Sequence, residues 1–130
     1  MAFEVIKCGG RSIPIVTEYL MADNEACTKG EGLALTSGRL TKVAATAAPE
    51  FIAQKSVAAS ASPTVLVPVI KVDENVQLEV MSTGQITTPG AKYTIHTDGL
   101  QITTTTTSGV FEVVRTDGAT TSKVRGYFNV

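Results

Sequence analysis

A chain of 130 residues and 13.6 kDa is the size of one domain, and its 43% hydrophobic content supplies enough apolar side chain for a modest core. Eleven basic residues stand against twelve acidic ones, with six of each sign in residues 1–65, so there is no basic stripe for nucleic-acid phosphates and no polybasic patch for a membrane surface. Aromatic residues are 5% and Trp is absent, which disfavours base stacking, and the balance of the composition disfavours an enzyme.

The elements read from the N-terminus as follows. Residues 1–20 carry Glu4, Lys7, Arg11 and Glu18, so no secretory leader is expected, and no apolar run is long enough for a membrane span. The same stretch is too apolar for a disordered tail, and Gly9, Gly10 and Pro14 prevent one continuous helix. Two extended pieces are expected, residues 2–7 and 12–19. They suggest an extended N-terminal arm over residues 1–24 that contacts a neighbouring chain, with Phe3, Val5, Ile13, Ile15 and Tyr19 as its apolar anchors. A β-rich domain over residues 25–130 follows. Cys8 and Cys27 fit no metal-binding spacing and are expected to be reduced thiols.

Residues 29–43 predict a hairpin, with Leu33, Leu35 and Leu40 on the apolar face and Thr36, Ser37 and Gly38 turning the chain. Residues 49–57 are read as strand or loop, because Phe51, Ile52 and Val57 build no helical stripe. Residues 64–72 form a nearly continuous apolar run, as in a strand buried on both faces, with Pro68 predicting a bulge or an edge. After a turn at Asp73, Glu74 and Asn75, the alternation of Val76, Leu78 and Val80 completes a second hairpin. Tyr93 and Ile95, the Thr run at 103–107, Val110 to Val114, and finally Val124, Gly126 and Phe128 predict further strands. Asp98-Gly99 and Asp117-Gly118 supply turns between them. The expected fold is mostly β: a small antiparallel β-sandwich or barrel-like (β-tulip-like) domain of about eight to ten short strands with an extended N-terminal arm.

Candidate chemistry is sparse. His96 is the single histidine, too few for a zinc site, and the pair His96 and Asp98 has no nucleophile assigned to it. Asp73, Glu74 and Asn75 lack calcium-loop spacing and read as a solvated turn. Gly9, Gly10, Arg11 and Ser12 lack phosphate-loop spacing. The five threonines at 103–107 suggest a water-ordering ladder only if repeated, which they are not, so a solvent-facing strand is expected. No catalytic residue, cofactor or metal site is assigned.

Three segments in order are more specific: KGEGLALTSGRLTK at 29–42, PEFI at 49–52 and VPVIKV at 67–72. With HTDGLQIT at 96–103 and TTTSGVFEVV at 105–114, they resemble the head decoration, or cement, proteins of tailed bacteriophages, over about residues 25–130. The resemblance implies a non-enzymatic β-rich protein on the outer surface of the virion, made in the host cytoplasm. It also implies that the protein stabilises the shell by bridging major capsid protein subunits, commonly as a homotrimer, with no nucleic acid or membrane as partner. A carbohydrate-binding β module of a tail or fibre is the alternative, with Tyr19, Tyr93 and Tyr127 as its whole supply of sugar-stacking rings.

Overall fold

Ten strands, none longer than six residues, make up the regular structure of the computed structural model, which describes residues 3–8, 16–43, 46–72 and 76–128. They are β1 (Glu4–Cys8), β2 (Val16–Tyr19), β3 (Gly32–Thr36), β4 (Arg39–Lys42), β5 (Phe51–Ala53), β6 (Val67–Lys71), β7 (Val76–Met81), β8 (Lys92–Tyr93), β9 (Phe111–Thr116) and β10 (Lys123–Phe128). Two antiparallel five-stranded sheets result, ordered β1-β7-β10-β9-β8 and β2-β6-β5-β3-β4. Among the described residues there is no helix, in line with the expected mostly-β sandwich.

The predicted hairpin at 29–43 is β3 and β4, joined by Ser37 and Gly38 at positive φ (50° and 79°). A two-residue loop with both φ positive matches the right-handed twist of the flanking strands, which is why Gly is favoured there.

The second sheet rolls up on itself. The residues that follow β2 reach β4 at the far end of the strand order: Leu40 N–H donates to the Leu20 carbonyl at 2.9 Å and Ala22 N–H to the Leu40 carbonyl at 2.9 Å. The Arg39 guanidinium adds a bond to the Met21 carbonyl at 3.1 Å. Inside the curl lies a core of Met21, Cys27, Leu33, Leu40, Phe51, Ala53, Val67 and Val69. The opposite face of this sheet, including Ile52 and Val72, packs against the first sheet in a larger core. Phe3, Phe111 and Phe128 meet in that core with ring centroids 5.0–5.7 Å apart.

Apolar side chains on both faces of β6 follow from this arrangement: Val67 and Val69 point into the curl, and Ile70, 7% exposed, points the other way. Pro68 sits at neither an edge nor a bulge, since β6 lies between β2 and β5. It is tolerated because its carbonyl pairs with the Gln54 N–H at 2.8 Å, one residue past the last β5 pair, Ala53↔Val69. The missing Pro donor thus falls where β5 has ended.

Three further expectations need correction. Residues 64–81 are not a hairpin, because β6 and β7 belong to different sheets. Alternation alone cannot tell a hairpin from a crossover when both strands are apolar. Residues 103–107 form no strand; Thr103 and Thr105 instead bond Thr94 through an irregular loop. The described parts of residues 1–24 are not a separate arm. β1 is the edge strand of the first sheet, paired with β7, and β2 pairs with β6 in the second.

Candidate functional site

Of the five anchors expected to reach a neighbour, the structure places three within the chain's own layers. Phe3 is 3% exposed, wedged between Phe111 and Phe128, with its N–H bonded to the Gly30 carbonyl at 3.0 Å. Val5 packs against the same core, and the Tyr19 ring meets Phe51 in a tilted contact with centroids 5.3 Å apart. Phe3 and Val5 are thus core residues of the domain, for the reason that a Phe beside an open aromatic pair buries more surface at home than an arm would. Ile13 and Ile15 lie outside the described residues, as do Gly9 and Gly10, Arg11 and Ser12, and the turn at Asp73, Glu74 and Asn75.

His96 belongs to a self-contained turn. The Asp98 carboxylate accepts from the Leu100 N–H at 2.8 Å and the Gln101 amide at 3.1 Å, and its own N–H meets His96 Nδ1 at 3.3 Å. Burial pushes the Asp98 carboxyl up, but these donors and His96 together hold it below its ordinary range. The Gly99 carbonyl at the end of this turn receives the Gly32 N–H at 3.0 Å, which brings the turn beside Glu31. Glu31 is 2% exposed. Its Oε1 accepts from the Thr28 N–H at 3.1 Å, while Oε2 has only the Lys42 ammonium at 3.9 Å. Desolvation pushes this carboxyl up, against the Thr28 N–H and Lys42. These groups hold each other and the loops that carry them.

The outward face of the first sheet is different. Val124, Gly126 and Phe128 point inward, which turns Lys123, Arg125 and Tyr127 outward. Opposite them, β9 carries a bulge: Arg125 pairs with Arg115 but Gly126 with Val113, so Val114 is an extra residue and stands 39% exposed. Bulges re-aim side chains, and this one sets Arg115 directly across from Arg125. Gly126 is required beneath it, since a Cβ there would run into the Glu112 carbonyl oxygen and the Phe111 ring. From β7, Glu79 reaches Arg125 at 2.9 Å and Lys123 at 3.3 Å. The Arg125 bond first, and Lys123 with it, lower the Glu79 carboxyl. Asp117 spends one oxygen on its own loop, accepting from the N–H groups of Ala119 at 3.0 Å and Lys123 at 3.1 Å. Glu79, Arg115, Thr116, Asp117, Lys123 and Arg125 line an open depression of about 340 Å³.

Among the described residues this face gathers five charged side chains around one open depression. The alternation in KVRGYF does turn Lys123 and Arg125 to one face. The pairing with β7 and the bulge that brings in Arg115 have no signature in the linear pattern. Among the described residues no group of three or more His, Cys, Asp and Glu is placed to hold a metal ion. No protein-family model and no curated protein matches the chain.

Proposed function

We propose that the chain is a structural virion protein that binds the outer surface of an assembled phage capsid and stabilises it by bridging major capsid subunits, as a homotrimer. The observation that carries this reading is where the resembling segments fall. The stretches at 29–42, 49–52 and 67–72 supply β3, β4, β5 and β6, four adjacent strands of the curled sheet. These three of the five resembling segments are contiguous in space as well as ordered in sequence, as a shared domain would produce, while the one at 105–114 leads into β9 of the other sheet. The carbohydrate reading has less support, because Tyr19 meets Phe51, Tyr93 is 9% exposed, and the Tyr127 hydroxyl donates to Glu112 at 2.6 Å. None of these rings is set out as a sugar platform.

The test uses heads of the phage that encodes the chain, assembled without it. Purified protein is expected to co-sediment with the heads to a fixed stoichiometry and to raise the temperature at which they release DNA. Protein that stays in the supernatant at saturating concentration would sink the proposal.

A further inference from the structure

We propose that the basin around Arg115, Lys123 and Arg125 is the docking surface of this protein and that it takes the carboxylate side chains of an acidic protein segment, Arg115 being the first anchor. The inference deepens the capsid reading, on which the identity of the partner rests.

Two like charges face each other across β9 and β10. Side chains directly opposite on antiparallel strands lie about 4.5–5.5 Å apart at Cβ, and two cations in that position disfavour the fold. Arg115 and Arg125 occupy such a pair. Local neutralisation is incomplete. The Glu79 carboxylate is engaged by Arg125 and Lys123, and Asp117 binds its own loop N–H groups. Arg115 has no ion pair among the described residues. Three cations against two carboxylates therefore line a depression open to solvent, with Arg115 exposed at its side. A guanidinium presents a planar fork of N–H donors that matches a carboxylate in two parallel hydrogen bonds. Val114, the extra residue of the bulge and the chain neighbour of Arg115, is 39% exposed.

Phosphate would satisfy the same fork, but a nucleic acid needs a continuous basic track. This chain has net charge −1 and its basin is confined to one end of three strands. A short acidic segment of a protein surface fits both the charge and the extent.

A direct test follows the Arg115 and Arg125 Nε–H signals by NMR as a hexaglutamate peptide is added, with a short DNA duplex of matched charge as the second probe. In parallel, binding to heads is measured for wild type and for Arg115→Glu and Arg115→Gln. We expect the peptide to shift both Nε–H signals, and Arg115→Glu to weaken head binding by about tenfold or more, with a smaller loss for Arg115→Gln. Arg115→Glu is also expected to melt at the wild-type temperature or above, because it converts a repulsive cross-strand pair into an attractive one. A residue with a merely structural role would not combine gained stability with lost binding. Unmoved Nε–H signals with undiminished head binding by Arg115→Glu would overturn the inference and leave the capsid reading standing. Shifted signals in a wild-type protein that ignores heads would support the basin and remove the capsid as partner. A stronger response to DNA than to peptide at the same salt would also overturn it.

Discussion

At Glu31 the fold keeps a carboxyl group out of water with one oxygen bonded to Thr28 and the other facing a lysine 3.9 Å away. Burial raises its pKa, so the folded state disfavours the charged form. Its contribution to stability is fully present below the ordinary glutamate value and is lost as pH rises through the raised value in the fold. Glu31→Gln keeps an acceptor for Thr28 and is expected to stabilise the protein at pH 7 by about 1 kcal/mol. The gain should shrink toward zero near pH 4 in thermal melts recorded across that range. Glu79 acts in the opposite sense. Its lowered pKa, set first by Arg125, favours the fold above the ordinary value and ceases to do so as acid protonates it. Cys27, 4% exposed, donates its thiol to the Lys55 carbonyl at 3.3 Å, and burial pushes its pKa up. Since the thiolate is the reactive form, Cys27 should resist a thiol-modifying reagent at pH 8 until denaturant is added. Rapid native labelling assigned to Cys27 by peptide mapping would contradict this.

Among the elements, β1 and β2 are edge strands that complete the two sheets. Phe3→Ala empties a place between two aromatic rings and is expected to cost about 3–5 kcal/mol in denaturant unfolding. Deleting residues 2–21 removes both strands and Met21, and should abolish the cooperative melt. Gly126→Ala is expected to destabilise by about 3 kcal/mol, because the obstacle is the Glu112 backbone and not a movable side chain. The hairpin of β3 and β4 and the alternation in β7 and β10 are readable from the linear chain, since local period and turn chemistry decide them. The crossover after β6 is not, because apolar side chains look alike whether they face the curl or the other sheet. For the same reason Phe3 reads as an arm anchor: nothing near it in sequence announces Phe111 and Phe128. Arg115 enters the basin only through a bulge, which is a property of pairing and not of composition.

At the scale of the molecule, the layers divide the work. The curled sheet encloses its own core, and the first sheet packs on its back and presents the charged face to solvent. The proposed capsid role calls for a homotrimer. Static light scattering of the purified protein should therefore return the mass of three chains. A monomer at all concentrations, free and in the presence of heads, would count against the assembly. Binding to heads should weaken as salt rises from 50 to 500 mM, if the exposed charges of the basin steer the encounter.

The pairing of β1 with β7 and of β2 with β6 also sets an order in time. Glu4 finds its partner at Glu79, and Val16 at Ile70. At a synthesis rate of about 5–20 residues per second, β1 waits on the order of 4–14 s for β7 to be made. Through that interval β3 and β4 can close locally, while Phe3 and Val5 remain in water with no sheet to join. Nascent chains are most vulnerable to chaperone capture and self-association in this window, because an unpaired apolar strand is a template for another. Weakening β1 should therefore first be felt during biosynthesis, as a fall in soluble yield, before it is felt in the melting of the folded protein.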